Sequence, residues 1–199
     1  GTSRFTTNNQ TLSLLGGTGS MSFVNVEITG DISLTNSVSS TSGLTIRGTL
    51  DGTSNGSSYI NNSTLNYQGS IEPMATAGSL NLSSIGNTFN YSGSVQTVKE
   101  TTYHNIGFTS TGNKAIGNIT INGSFTRSNG TLNFTGIQTF SGPTAATLNT
   151  NANLNFSEII VNKGGSSITL NNSGAIATSK LTVSAGSFVF GTGSVRTVT

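Results

Sequence analysis

One short phrase recurs along this chain of 199 residues and constrains its fold more than any other feature. The stretch NTFNYSGSVQTV, which begins at Asn87, returns as GTLNFTGIQTF at Gly130. Further copies are STLNYQGSI at Ser63, ANLNFSEI at Ala152 and GSFVFGTGSVRTV at Gly186. The two fullest copies share the order apolar, Asn, aromatic, polar, Gly, and both end on Gln-Thr between apolar residues. Such recurrence indicates a repeat architecture.

The spacing of the copies gives the size of the repeating unit. Their aligned apolar residues are Leu65, Phe89, Leu132, Leu154 and Phe188. The first and third intervals indicate a unit of about 22 residues, and the second spans two such units, which is a period typical of solenoids. The last interval, from Leu154 to Phe188, fits poorly. We attribute it either to an insertion in one coil or to a misalignment of one and a half units.

Within each copy, apolar and polar residues alternate, so that Phe89 and Tyr91 would face one side and Asn90 and Ser92 the other. A period of two predicts β-strands, and the intervening turns are too short for helices. Stacked coils would bury their inward side chains in a continuous core. We therefore predict an all-β fold, a single right-handed parallel β-helix (β-solenoid) of about nine coils of roughly 22 residues. Residues 1–199 would form one domain, as a piece of a longer chain or fibre.

Two segments are predicted to be loops that bulge from the coil. The tract 51–58 is the longest purely polar stretch, and Glu72 begins an acid-proline break at Pro73. Proline cannot donate to a sheet ladder.

Composition narrows the classes of function. Charged residues are 7% of the chain, against about 25% in typical domains. The eight basic residues are dispersed singly, whereas nucleic-acid binding requires clustered Lys and Arg. The chain has no cysteine and one histidine, His104, which excludes thiolate and paired-histidine metal sites within one chain. No apolar run approaches the roughly 18 residues of a membrane-spanning helix. We predict no cofactor, no metal, no nucleic-acid partner and no membrane insertion.

The acidic residues are the best candidates for a catalytic site in this sequence. Glu27, Asp51 and Glu72 follow one another at intervals close to one repeat unit, so stacked coils could align them in a vertical row. A β-helical glycosidase or lyase would mount its paired acids in this way. However, Asp51 precedes Gly in a turn, where Asp is favoured for backbone reasons, and Glu72 precedes Pro. We predict that the three carboxylates do not share a cleft and that the chain is not an enzyme. For His104 we predict an exposed strand position beside Tyr103 rather than a catalytic triad.

Two binding alternatives remain open. An ice-binding face requires a regular Thr-x-Thr pattern in each coil, and the sequence contains scattered cases at 109–111 and 197–199. A sugar-stacking platform would use the aromatic residues of the repeated phrase, although their alternation is typical of a core. These aromatic residues are Tyr67, Phe89, Tyr91, Phe134, Phe156, Phe188 and Phe190.

The stretch NTFNYSGSVQTVKETTYHNIGFTSTGNKAIGNITINGSFTRSNGTLNF resembles the parallel β-helix repeats of very large secreted surface proteins of Bacteroidetes-type bacteria. The likeness is clear from about Asn87 to Gly142, with weaker echoes to Thr199, and residues 1–62 match only in texture. The resemblance implies an adhesin or fibre component at the bacterial cell surface. No catalytic residue follows from it.

The sequence thus predicts a non-enzymatic extracellular rod, a segment of a surface adhesin or filament. The alternatives are a carbohydrate-active β-helix enzyme or tail-spike-like sugar binder, and an ice-binding solenoid. The repeat stops at Thr199 within a copy, and exposed strand edges template further strands. The expected partners are therefore other copies of the chain or flanking repeats, together with surface polysaccharide.

Overall fold

The computed structural model describes residues 1–14, 19–39, 42–172, 174–191 and 196–198, and all of its regular elements are β-strands. Thr199 lies outside the described residues, as do the side chains of 172 and 196–198. Within the described part, no helix is long and apolar enough to cross a membrane. The strands are β1 (Thr2–Phe5), β2 (Gln10–Leu12), β3 (Met21–Phe23), β4 (Asn25–Ile28), β5 (Ser33–Asn36), β6 (Leu44–Ile46), β7 (Leu50–Gly52), β8 (Ser58–Asn61), β9 (Thr64–Tyr67), β10 (Ser79–Asn81), β11 (Thr88–Tyr91), β12 (Gln96–Val98), β13 (Thr102–Tyr103), β14 (Asn105–Phe108), β15 (Asn113–Ile116), β16 (Ile119–Ile121), β17 (Phe125–Arg127), β18 (Thr131–Phe134), β19 (Ile137–Ser141), β20 (Ala146–Thr150), β21 (Leu154–Phe156), β22 (Glu158–Asn172), β23 (Ile176–Thr178), β24 (Leu181–Phe190) and β25 (Arg196–Val198).

All strand pairs are parallel, and most strands pair with those three places earlier and later in the chain. The coil therefore has three faces. Face 1 holds β1, β4, β7, β12, β15, β18, β21, β23 and β25. Face 2 holds β2, β5, β8, β10, β13, β16, β19 and the first parts of β22 and β24. Face 3 holds β3, β6, β9, β11, β14, β17, β20 and the last parts of β22 and β24.

Face 3 gives the length of each turn. Its paired core positions are Met21, Leu44, Leu65, Phe89, Ile106, Phe125, Leu148, Leu170 and Phe190. Successive turns are therefore uneven and take about 17 to 24 residues each, within the range of known solenoid repeats. The prediction of an all-β parallel solenoid is confirmed, with eight full turns between these nine rungs. Its right hand and its single domain stay predictions.

The core follows from the alternation within the strands. In β11, Phe89 and Tyr91 are fully buried, while Thr88 and Asn90 face outward and are half-buried. Aromatic rings stack from coil to coil, as between Tyr91 and Phe108, whose ring centroids are 5.8 Å apart. Close contact between rings in successive coils makes the interior of the solenoid continuous.

The copies of the repeated phrase do not all lie on one face. Leu65 and Phe89 are register partners on face 3, whereas Leu132 and Leu154 belong to strands of face 1. Phe188 returns to face 3. The interval from Leu154 to Phe188 is therefore one and two-thirds turns, so the misalignment explanation is correct and no insertion is needed. Alternation is the same on every face, so it cannot tell the faces apart.

The predicted loop around Pro73 is part of the coil. Met74 is buried in the core, and its N–H donates to the carbonyl of Leu50 at 2.7 Å. The segment fills the face 1 position above β7 without forming a strand, because proline cannot donate to the ladder. The polar tract behind Asp51 begins inside β7 and turns at 53–57 before β8.

Side-chain caps join successive coils at the corners. In five places the side-chain oxygen of an Asn or Glu accepts the backbone N–H of a residue 18 to 24 positions later, at 2.8–3.1 Å. The acceptors are Asn25, Glu100, Asn105, Asn118 and Asn153, and the residue before each capped N–H is glycine. We call these contacts the corner caps. They satisfy donors that the strand ladders leave free.

Candidate functional site

The structure brings two of the three predicted acids together. Glu27 and Asp51 are register partners on β4 and β7, so they occupy adjacent rungs of face 1. Glu27 forms an ion pair with Arg4 at 2.8 Å and also accepts a hydrogen bond from the hydroxyl of Thr29. Its carboxylate is thus held on the outer surface of the sheet.

Asp51 and Glu72 have separate partners. The Asp51 carboxylate accepts backbone N–H groups of Thr76 and Ala77 in the next coil, at 3.0 and 3.4 Å. Glu72 forms an ion pair with Lys99 at 2.9 Å. A glycosidase requires two carboxyl groups on either side of a substrate cleft. None of the three acids lines any of the three surface depressions described below.

His104 is largely buried near the corner between faces 2 and 3. Burial lowers its pKa, and the positive charge of Lys163 adds a smaller effect in the same direction. The prediction of an exposed strand position is wrong, because His104 is buried and lies in the bend between β13 and β14. The described residues contain no group of three His, Cys, Asp or Glu side chains that would hold a metal ion.

Two lysines lie inside the solenoid. Lys114 donates from Nζ to the carbonyls of Gly93 and Ser94, both at 2.8 Å. Lys163 donates to the carbonyl of Asn122 at 2.8 Å and to that of Ser141. Burial lowers the pKa of both amines. Each amine thus donates hydrogen bonds to backbone carbonyls at a corner of an earlier coil, so neither lysine is available to a ligand.

The outer surface of face 3 carries a double column of polar side chains. Its rows read Thr-x-Asn at 64–66, 88–90, 147–149 and 169–171. The rows between them are Asn-x-Gly at 105–107 and Ser-x-Thr at 124–126. The Asn90 amide donates to the Asn66 side chain at 2.9 Å, which makes part of the column a hydrogen-bonded ladder. A thermal hysteresis measurement tests whether this face adsorbs to ice. The Thr-x-Thr at 109–111 lies outside these columns, and that at 197–199 lies outside the described side chains.

The predicted aromatic platform is mostly core. Tyr67, Phe89 and Tyr91 are fully buried, and Phe156 nearly so. Phe134 and Phe188 are partly buried, and Phe190 is exposed. Of these partly accessible rings, Phe134 lines a surface crevice.

This crevice lies on face 1 between β18 and β21 and has a volume of about 420 Å³. Its apolar part consists of Leu132 and Phe134, and its polar part consists mainly of Asn133, Asn155 and Arg127. The Arg127 guanidinium donates to the carbonyl of Gly130 and to the Asn151 side chain, at 2.9 Å in each case. Neither asparagine was predicted as a site residue. The sequence does contain a pattern that could have predicted them. Leu-Asn-Phe occurs identically at 132–134 and 154–156, and this repeat stacks the two asparagines on adjacent coils.

The other two depressions are more open to solvent and have volumes of about 480 and 430 Å³. One crosses face 2 along the half-buried side chains of Thr102, Thr120 and Thr139. The other follows the corner between faces 3 and 1 beside Arg47, Ile71 and Val95. Both lie on the outside of the coil and lack a cluster of acids or histidines. Comparisons with protein-family models, with curated proteins and with solved structures found no match to this chain.

Proposed function

We propose that this chain is a non-enzymatic rod, a structural and adhesive segment of an adhesin or filament on the outside of a bacterial cell. The observation that carries the proposal is the unbroken ladder of face 3, from β3 to the last part of β24. Each rung adds about 4.7–4.9 Å, so eight turns extend about 38 Å along the axis. A continuous ladder with a continuous core resists bending, which is the property a spacer needs.

The surface supports this function. The acids at 27, 51 and 72 are each bound to the scaffold, and the outward rows of face 3 from 64 to 171 contain no charged side chain. A polar, weakly charged rod is hydrated without strong long-range attraction to charged molecules. Its first coil offers a way to lengthen the rod, since β1, β2 and β3 are each paired on one side only within the described residues. We propose that further coils or another copy continue these ladders.

A distance measurement tests the rod. The chain has no cysteine, so paired spin labels can be placed through Thr45→Cys and Asn149→Cys. These two outward positions lie in one column of face 3, five rungs apart. We expect one narrow distance distribution centred at about 24 Å between the backbones, from the spacing of neighbouring strands, to which the label linkers add. A broad distribution would contradict a stiff rod. Labels at Thr45 and Asn66, one rung apart, give the width that the linkers alone contribute.

A pulling experiment tests load bearing. When the chain links a bead to a surface, we expect no extension until coils detach from an end. A coil of about 17 to 24 residues then adds roughly 60 to 80 Å of extended chain per step. Smooth lengthening at low force, without steps, would overturn the proposal that the chain bears load.

A further inference from the structure

Face 1 is interrupted at two levels, above β7 and above β18, and at the second of these the other two faces are continuous. Its ladder β12-β15-β18 ends at β18, and the ladder β21-β23-β25 begins one coil later. At the same level β17 pairs with β20 on face 3, and β19 pairs with β22 on face 2. The N–H groups of Thr131 and Thr135 donate to the coil of β15. Since alternate residues of a strand face opposite neighbours, the backbone groups of Leu132 and Phe134 face β21 and have no ladder partner in the described chain.

A change in coil size accompanies the interruption. From β12 to β18 the turns of face 1 are narrow, with Val98 paired to Ile116 and Ile116 paired to Phe134. The next turn, from Phe134 to Phe156, is longer by about four residues, and such additions to a repeat are accommodated on one face of a solenoid. The two rings stay in contact, with centroids 4.2 Å apart. The narrow coil and the wider coil therefore meet between β18 and β21, where the two strands do not pair.

The crevice that results combines an apolar floor with free polar groups. Leu132 and Phe134 are half-buried here, whereas their counterparts Leu154 and Phe156 in the next coil are buried. The carboxamides of Asn133 and Asn155 make no hydrogen bond within the described chain, and both side chains are exposed. A volume of about 420 Å³ falls within the range of small-ligand pockets. Carboxamides offer both donors and acceptors at one site.

We infer that this crevice binds a neutral pyranose unit of a polysaccharide. A sugar ring presents an apolar face of C–H groups and a rim of hydroxyl groups that both donate and accept, which matches a Leu-Phe floor between two carboxamides. The one cation that lines the crevice, Arg127, is held by hydrogen bonds to Gly130 and Asn151, so part of its donor capacity is already used before a ligand binds. The inference rests on the proposed adhesive function, because it supplies the rod with a contact to surface glycans.

The test is a titration of the intact 199-residue chain with the methyl glycosides of glucose, galactose and N-acetylglucosamine, followed by amide NMR. We expect at least one glycoside to bind in the millimolar range, as befits a ligand of this size. The side-chain amide signals of Asn133 and Asn155 should shift. Asn133→Ala and Asn155→Ala should each weaken binding about five- to tenfold, because each removes hydrogen bonds to the sugar.

Asn113→Ala is the matched control. Asn113 is an exposed carboxamide on β15, one coil earlier on the same face and outside the crevice. Its removal should leave binding unchanged, and thermal unfolding of all three variants checks that they fold. Absence of binding by every glycoside, or equal weakening by the control, would overturn the inference. Binding of a uronic acid alone would also overturn it, because the contact would then be to Arg127. None of these outcomes affects the distance measurement on the rod.

Discussion

The four tyrosines of the chain are all buried, and their hydroxyl groups make the solenoid sensitive to alkali. Burial raises the pKa of Tyr67 to about 12 and raises the pKa of Tyr59, Tyr91 and Tyr103 further above the ordinary value of 10.0. A raised pKa in the folded state favours folding below pH 10.0, and this stability is lost as the pH rises toward the folded-state values. The folded chain therefore holds protons that the unfolded chain releases.

We expect no tyrosinate absorbance from the native chain as the pH passes 10.0, because each phenol is buried. Above that pH the free energy of unfolding should fall with increasing slope, and all four phenols should ionise together when the chain unfolds. A spectrophotometric titration in parallel with circular dichroism checks this expectation. The urea-denatured chain is the control and should titrate at about pH 10. Gradual ionisation of the folded chain around that pH would contradict the buried placement.

Two of these tyrosines differ in their hydrogen bonds and should respond oppositely to loss of the hydroxyl group. The Tyr59 hydroxyl has no partner among the described residues. The Tyr103 hydroxyl is 2.7 Å from that of Tyr91 and donates to the carbonyl of Lys99 at 2.7 Å. Tyr59→Phe should leave the free energy of unfolding unchanged or raise it by about 1 kcal/mol, whereas Tyr103→Phe should lower it by about 1–2 kcal/mol. Urea denaturation measures both. A fall in the free energy of unfolding for Tyr59→Phe as large as that for Tyr103→Phe would show that the Tyr59 hydroxyl has a hydrogen-bond partner.

The buried Lys114 shows where reasoning from charge fails. Alternation with Ile116 places Lys114 inward, while its charge argues for the surface, and the alternation prevails because corner carbonyls receive the amine. Lys114→Met should lower the free energy of unfolding by about 2 kcal/mol, since it leaves two buried carbonyls without a donor. The control is Lys180→Met, which breaks an exposed ion pair with Glu158 and should cost less than about 1 kcal/mol.

The pH dependence of the free energy of unfolding should also differ between Lys114→Met and Lys180→Met. Burial lowers the pKa of Lys114 below 10.5, so the unfolded chain binds more protons between the folded-state value and 10.5. Within that window stability rises with pH, and Lys114→Met should remove part of the rise. Equal losses and equal pH profiles for Lys114→Met and Lys180→Met would show that Lys114 is not buried.

At the scale of the elements, the corner caps connect one coil to the next. The Glu100 carboxylate accepts the N–H of Asn118 at 3.1 Å, and a Cβ on Gly117 would overlap that carboxylate. Gly117→Ala should cost about 1–2 kcal/mol, because the flexible Glu100 moves aside and its cap is lost. In a Glu100→Ala background the same change should cost much less, since the overlap and the cap are already gone. Urea denaturation of the four chains completes the cycle, and additive effects would contradict the cap.

Gly69 provides the contrast to this cycle. A Cβ there would overlap the backbone carbonyl of Gly48, which cannot swing away as a side chain does. Gly69→Ala should therefore cost about 3 kcal/mol, and no single side-chain truncation should rescue it. A small cost would show that neighbouring coils separate easily at this corner.

The elements themselves were predictable from the sequence, but their assignment to faces was not. Alternation in the repeated phrase correctly predicts strands and the inward orientation of Phe89 and Tyr91. It cannot show that Leu132 lies on a different face, because inward residues alternate identically on all three. The corner caps were missed since their spacing varies from coil to coil, so no fixed period reveals them. The crevice lies where the coil size of face 1 changes, so turn lengths rather than a sequence motif mark its place.

At the scale of the whole molecule, protection against hydrogen exchange should map the continuity of the ladders. The amides of Leu132 and Phe134 face the interruption of face 1, whereas that of Phe140 lies in a strand paired on both sides. We expect fast exchange at the first two and slow exchange at Phe140, although all three belong to one coil. Exchange measured by NMR checks this difference. Slow exchange at Leu132 and Phe134 would indicate that the two ladders join in solution.

The corner caps also give the chain a direction. In every cap the acceptor belongs to the earlier coil, and the lysines at 114 and 163 reach back to carbonyls of coils that precede them. Among these contacts, the bond from Lys163 to Asn122 spans the most residues, 41, so later coils bond to the one or two coils before them. A chain that crossed a pore N-terminus first would therefore be able to fold coil by coil while the rest was still threaded. Each finished coil would then oppose sliding back, so that folding itself would act as a ratchet on the remainder.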